Sequence, residues 1–145
     1  MVCGHEVVTE VAALMRRLDE VIVEAEADAE RGERRLVVRR EIRTDHVRLY
    51  VRVGLRGVPD SRYAARALSL VDITIDEDYR SRGILHLTMA WLEQRRVFDG
   101  IYIENVFNDR LVAFLQRRGY QSFPASVAPI AGSWWRRHPP TTPPA

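Results

Sequence analysis

The chain has 145 residues, 46% of them hydrophobic and 29% charged, with a formal net charge of +2. That length suits one domain with a sizeable core, and the balance is that of an ordinary globular protein. A single cysteine, Cys3, excludes an intrachain disulfide and a cysteine-based metal site, and no apolar run is long enough to span a membrane.

From Thr9 to residue 31 the spacing predicts a helix. Val11, Leu14, Met15, Leu18, Val21, Ile22 and Ala25 fall on one face, Thr9 is the expected N-cap and Gly32 the stop. Two strands are expected next. Leu36 to Val38 with Ile42 mark the first. The second, Arg48 to Arg56, alternates Leu49, Val51, Val53 and Leu55 against Arg48, Tyr50, Arg52 and Arg56. An arginine row with a tyrosine could track a phosphate backbone, but the preferred reading is the wet face of an antiparallel sheet.

A turn at Gly57 to Ser61 leads to a strand from Ala67 to Ile75 and, after an acidic turn at Asp76 to Asp78, to a helix from Ser81 to Arg96. Gly100 to Val106 reads as a strand and Asn108 to Arg118 as a helix that stops at Gly119. Tyr120 to Phe123 and Ser133 to Arg136 read as a final hairpin. His138 to Ala145 is expected to be a disordered, proline-rich tail. The N-terminus lacks the basic and apolar regions of a signal peptide, so a cytoplasmic protein is the default.

The junction at residues 68–85 is the most informative stretch. A strand enters a short arginine- and glycine-bearing loop that opens a helix, which points backbone N–H groups and the positive end of the helix dipole forward. Gly83 lets a ligand approach the backbone, and Arg80 and Arg82 add positive charge. An anion, phosphate above all, is the natural occupant. There is no Ser/His/Asp nucleophile pattern, no metal-ligand spacing and no Walker loop.

Ile75-Asp-Glu-Asp-Tyr-Arg-Ser-Arg-Gly83 resembles the acyl-CoA signature of the GNAT superfamily of N-acyltransferases. Asn108-Asp-Arg-Leu-Val-Ala-Phe-Leu-Gln-Arg-Arg-Gly-Tyr120 is similar to that family's second motif, and the two come in the family's order. The resemblance covers the second half of the chain. It implies an α/β (α+β) fold with a mixed, mostly antiparallel sheet, helices on both faces and two central strands that splay apart. The expected arrangement is a single domain over residues 1–137 with its core at 66–120.

The resemblance further implies acetyl-CoA or another acyl-CoA as co-substrate, with no metal, and direct attack by a primary amine of a small molecule or peptide. Pantetheine would lie along Ile73, Thr74 and Ile75. The pyrophosphate would sit on Arg80, Ser81, Arg82, Gly83, Ile84 and Leu85, with Asn108 fixing the facing wall. Leu85 replaces a small residue of the signature. Leu115 stands where many members carry a tyrosine that protonates the leaving thiolate, and the usual first strand is reduced to Glu6-Val-Val8 at most. Glu104 is the expected proton acceptor, with Asn105 beside it and Asp72 and Tyr102 as weaker candidates; the alternative for Glu104 is an ion pair with a neighbouring arginine. An inactive acyl-CoA-binding module and a nucleic-acid-directed transferase are the competing readings. A homodimer is compatible with all of them.

Overall fold

The computed structural model describes residues 2–32, 37–123 and 132–140. Its first element, α1 (Gly4–Glu30), begins a turn and a half before the expected N-cap. The reason is local: the Glu6 carboxylate accepts from the Cys3 backbone N–H at 2.8 Å, satisfying one of the donors that a helix start leaves open. Glu6-Val-Val8 is therefore helical, not a strand, and Thr9 sits inside the helix with its hydroxyl donating to the His5 carbonyl at 2.9 Å. The predicted apolar stripe is buried as expected, with Leu18, Ile22 and Ala25 fully enclosed.

Six strands follow: β1 (Val37–Arg43), β2 (Val47–Val58), β3 (Ser61–Ile75), β4 (Gly100–Ile103), β5 (Gln121–Ser122) and β6 (Trp134–Arg137). They form one sheet in the order β1-β2-β3-β4-β6-β5. Every pairing is antiparallel except β3 with β4, which is parallel. A parallel pair needs a crossover, and α2 (Ile84–Arg95) supplies it. The expected mixed, mostly antiparallel sheet is thus the sheet the chain forms. β3 is longer than expected because its first half pairs with the far end of β2, from Val58 opposite Ser61 to Gly54 opposite Ala67.

One irregularity organises β3. Tyr50 faces Asp72 and Val51 faces Leu70, so Val71 is an extra residue on β3. Such a bulge bends a strand and resets its alternation. Leu68 and Leu70 before it, and Ile73 and Ile75 after it, all join the same core, although their numbers change from even to odd. Were Val71 paired in plain alternation instead of bulged, one of the two pairs would face the wrong side.

That core takes side chains from α1, α2 and α3 (Asp109–Arg117) and from β1 to β4. The opposite face carries a smaller cluster of Val58, Ala65, Ala67, Tyr102 and Trp135, with no contribution from a described helix. Leu55, expected to face inward, is 62% exposed; among the described residues the pairing of β1 with β2 reaches only to Gly54. His138, expected in the tail, is buried: its N–H donates to the Asp99 carbonyl at 2.9 Å and its ring Nε2 lies 3.0 Å from the Val97 carbonyl. The remaining proline-rich residues, 141–145, and the hairpin loop at 124–131 lie outside the described residues.

Candidate functional site

The parallel pair gives the site its shape. β3 and β4 are in register only from Ala67 with Gly100 to Leu70 with Ile103. One further backbone bond, from Glu104 N–H to the Leu70 carbonyl at 2.9 Å, closes the paired section. Beyond it β3 continues to Ile75 while β4 has ended, so among the described residues Val71 to Ile75 has no strand partner on that side. Asn105 adopts a left-handed backbone, φ 60°, which asparagine tolerates better than most residues. Its side-chain amide donates to the Val71 carbonyl at 2.8 Å. The two strands thus part at the bulge, and one side chain reaches across the opening.

On the helix side a groove of about 620 Å³ lies between the start of α2 and the face of α3, within the range of small-ligand sites. Its floor is the loop of the first motif. Ser81 and Gly83 both have positive φ, 59° and 82°, and Gly83 is the residue before the helix, with no side chain capping the first turn. The N–H groups of the opening turn are therefore left for an outside acceptor, in a loop of the concave kind that binds anions. Helix α2 starts at Ile84 rather than Ser81 because those two left-handed residues turn the loop instead of continuing the coil.

Charge around this groove is positive. Arg80 is anchored, its Nε donating to the Ile75 carbonyl at 2.9 Å. Arg110 and Arg117 line the wall given by α3, and Arg82 is exposed in the loop. None of Arg82, Arg110 and Arg117 has an ion-pair partner among the described residues. His86 stacks on Phe114 at 3.9 Å between centroids. Partial burial, and then the nearby Arg118, Arg117 and Arg110, hold its pKa below the ordinary histidine value. Asn108 caps α3 as expected, accepting from Arg110 N–H at 2.9 Å and Leu111 N–H at 3.2 Å. Leu85 lines the groove, so a larger side chain than the signature's does occupy that wall. Leu115 is fully buried in the core.

On the other side of the sheet, at the same parting of the strands, a second cavity of about 520 Å³ is lined by Glu41, Arg48, Tyr50, Val71, Asp72 and Asn105. Of the expected proton-handling residues, Asp72 and Asn105 reach this cavity. Glu104 does not line it. Its carboxylate lies 3.3 Å from Arg52 Nη2 and 3.4 Å from Arg56 Nη1, two arginines of β2 that reach over β3. Tyr102 is fully enclosed under Arg56, whose guanidinium carbon stands 3.2 Å from the ring centroid. Arg52 and Arg56, expected on the wet face of the sheet, are instead half-buried against Glu104, because β4 lies beyond β3 and brings that carboxylate to them. An ion pair of Glu104 with a neighbouring arginine is the alternative the sequence offered; that the arginines are Arg52 and Arg56 of β2 depends on strand order. The carboxylate of Asp72 could have been singled out from the phase change around Val71.

No family model and no curated protein matches the sequence. Among solved structures, the chain is similar to a mutant of KacT, at 15% identity over 64% of this chain and 62% of that one, with a TM-score of 0.47. It is also similar to AtaT complexed with acetyl-methionyl-tRNAfMet, at 10% identity over 63% and 62%, with a TM-score of 0.46. A third likeness is to a mutant AtaT toxin bound to the C-terminus of the antitoxin AtaR and acetyl-CoA, at 10% identity over 64% and 59%, with a TM-score of 0.45. The chain matches about three-fifths of the length of each of these solved chains, and what they share with it is a partial likeness of fold.

Proposed function

We propose that the chain is an acyl-CoA-dependent N-acyltransferase that acylates a primary amine. One observation carries the reading: the parallel strands part at the Val71 bulge, and an anion-ready groove and a polar cavity lie on opposite sides of that opening. A site that joins two reactants needs two approaches to one point, and holding both there is the larger part of such catalysis.

The residues present suit an acyl-CoA. The uncapped N–H groups at the start of α2, with Arg80 and Arg82, would hold the pyrophosphate, and Arg110 and Arg117 would meet further phosphate charge. The unpaired edge of β3 at Ile73 to Ile75 offers backbone groups to the amides of the pantetheine arm. When bound, acyl-CoA supplies a thioester carbonyl whose carbon–sulfur bond is exchanged for an amide bond to the amine, releasing coenzyme A and one proton. Asn105, bonded across the opening, positions the end of β4 against β3. Glu104, expected as the proton acceptor, is proposed instead to tie that end of β4 to β2 through Arg52 and Arg56. No tyrosine replaces Leu115 as a proton donor, so the sulfur leaves with solvent as its proton source; this slows the reaction without forbidding it.

The test is a ligand titration with acetyl-CoA, longer acyl-CoAs and free coenzyme A. Gly83→Asp places a carboxylate against the phosphate position and is expected to abolish binding. Because a side chain at φ 82° adds strain, Arg82→Glu, on an exposed position, is measured beside it and is expected to weaken binding about tenfold or more. Parent-like binding by both variants would place the ligand elsewhere. Folded parent protein that binds no coenzyme A would end the reading.

A further inference from the structure

The second cavity has a chemical character of its own. Glu41, Tyr50 and Asp72 stand opposite one another on β1, β2 and β3, in a row across the sheet. Their charges are not equally committed. Glu41 accepts from Arg43 Nε at 2.9 Å, while Arg48 Nε is 3.8 Å from the same oxygen, beyond hydrogen-bond reach. The Arg48 side chain is 52% exposed, so its donors are available. Asp72 is exposed and has no hydrogen bond or ion pair among the described residues. It stands opposite Tyr50 only because β3 bulges at Val71; in plain register Val71 would take that place and Asp72 would turn to the core.

We propose that this cavity binds an amine that also carries a carboxylate, the α-amino acid class, as the acyl acceptor; the proposal rests on the acyltransferase reading above. The cavity offers one uncommitted carboxylate and one guanidinium with open donors, the complement of a zwitterion. The planar fork of Arg48 suits a carboxylate better than a point charge would. Asp72 holds the ammonium group, and it does so at the end of the cavity that Val71 and Asn105 close, where the strands part. The amine nitrogen is thereby placed at the opening to the other groove. Tyr50, half-buried between the two charged groups, presents its ring to the carbon skeleton or the ammonium. A diamine would set a second cation against Arg48, and an ester or amide of the same amino acid would leave its guanidinium unmatched.

The experiment follows coenzyme A release at saturating acetyl-CoA with the common amino acids, their amides, their methyl esters and alkyl diamines. Free acids are expected to exceed the matched amides and esters in kcat/KM by about ten- to hundredfold, the range of charge-assisted hydrogen bonds. Arg48→Met is expected to erase that ratio by raising KM for the acids alone, whereas Asp72→Asn lowers kcat/KM for acids and amides alike. Equal use of amides, esters or diamines, or a ratio untouched by Arg48→Met, overturns the proposal. Titration of amino acids into the free protein, read by NMR at Tyr50, examines the cavity without acetyl-CoA. Binding of the acids that Arg48→Met removes supports the proposal even for a preparation that does not bind acetyl-CoA, in which case only the transferase reading falls. No binding in this titration, together with no turnover of acids, overturns the proposal while leaving acetyl-CoA binding to be judged separately.

Discussion

Arg56 reaches across an entire strand to Glu104: its Nη1 lies 3.4 Å from the carboxylate while its guanidinium plane covers the Tyr102 ring. Burial is the chief influence on Arg56 and holds its pKa below the ordinary arginine value, with the Glu104 carboxylate opposing that shift. A guanidinium so placed depends on its counter-charge, and Arg52 leans on the same carboxylate at 3.3 Å. The three groups therefore act as a brace between β2 and the free end of β4.

Glu104→Gln separates a brace from a proton acceptor. Removing the charge leaves two partly buried guanidiniums without their counter-ion, and the expected loss is about 1–3 kcal/mol of stability. Turnover at saturating substrates is expected to fall less than tenfold, since the pair does not line either cavity. A loss of two to four powers of ten at unchanged stability, partly recovered at high pH, would restore Glu104 as the general base.

Gly100 opens β4 with no room for a side chain. A Cβ there would collide with the Arg136 carbonyl of β6 and stand 2.7 Å from the Trp135 ring. Both are fixed by the sheet, so the strand itself must shift. Gly100→Ala is expected to cost about 1–3 kcal/mol, seen as a lower denaturant midpoint at unchanged slope.

His46 gives the stability of the loop's first turn a pH dependence. Its Nδ1 bonds Asp76 at 2.9 Å, and its ring stacks on Tyr79 at 3.8 Å. The bond to Asp76, followed by the charges of Glu10, Asp76 and Asp45, raises its pKa above the ordinary 6.5 against a smaller burial effect. A raised histidine stabilises fully below its unfolded value and loses that contribution as pH rises through the raised folded value. The thermal stability of the parent relative to His46→Gln is thus expected to be greatest near pH 5.5 and to shrink above about pH 6.5. The buried His138 works in the opposite window. Burial lowers its pKa, so its cost appears as pH falls below its unfolded value. An advantage of parent over His46→Gln that is flat from pH 5.5 to 8.5 would refute the His46 assignment.

Much of this was readable from local pattern. The alternation of β2 placed Leu49, Val51 and Val53 inside and Arg48 outside, and Asn108 and Gly119 bounded α3 correctly because capping and left-handed stops are short-range effects. The loop of the first motif lines the groove between α2 and α3. Apart from the start of α1, which is local, what the pattern missed was set by distance along the chain. The start of α1 rested on Glu6 folding back onto Cys3, in a valine-rich stretch that suits strand as well as helix. The first half of β3, Arg62 to Ala65, has no apolar alternation and is a strand because β2 continues opposite it. The environment of Glu104 required knowing that β2 and β4 flank β3. His138 sits in a proline-rich stretch that looks like a tail, yet its ring fits against Val97.

The bulge at Val71 also fixes what kinds of change this gene product can absorb. Substitutions from Asp72 to Ile75 alter one side chain each and leave the others in place. Deletion of Val71 would restore plain alternation, leaving Ile73 and Ile75 on the core face but removing the bend at which β3 parts from β4. Length, more than identity, is what this segment has to conserve.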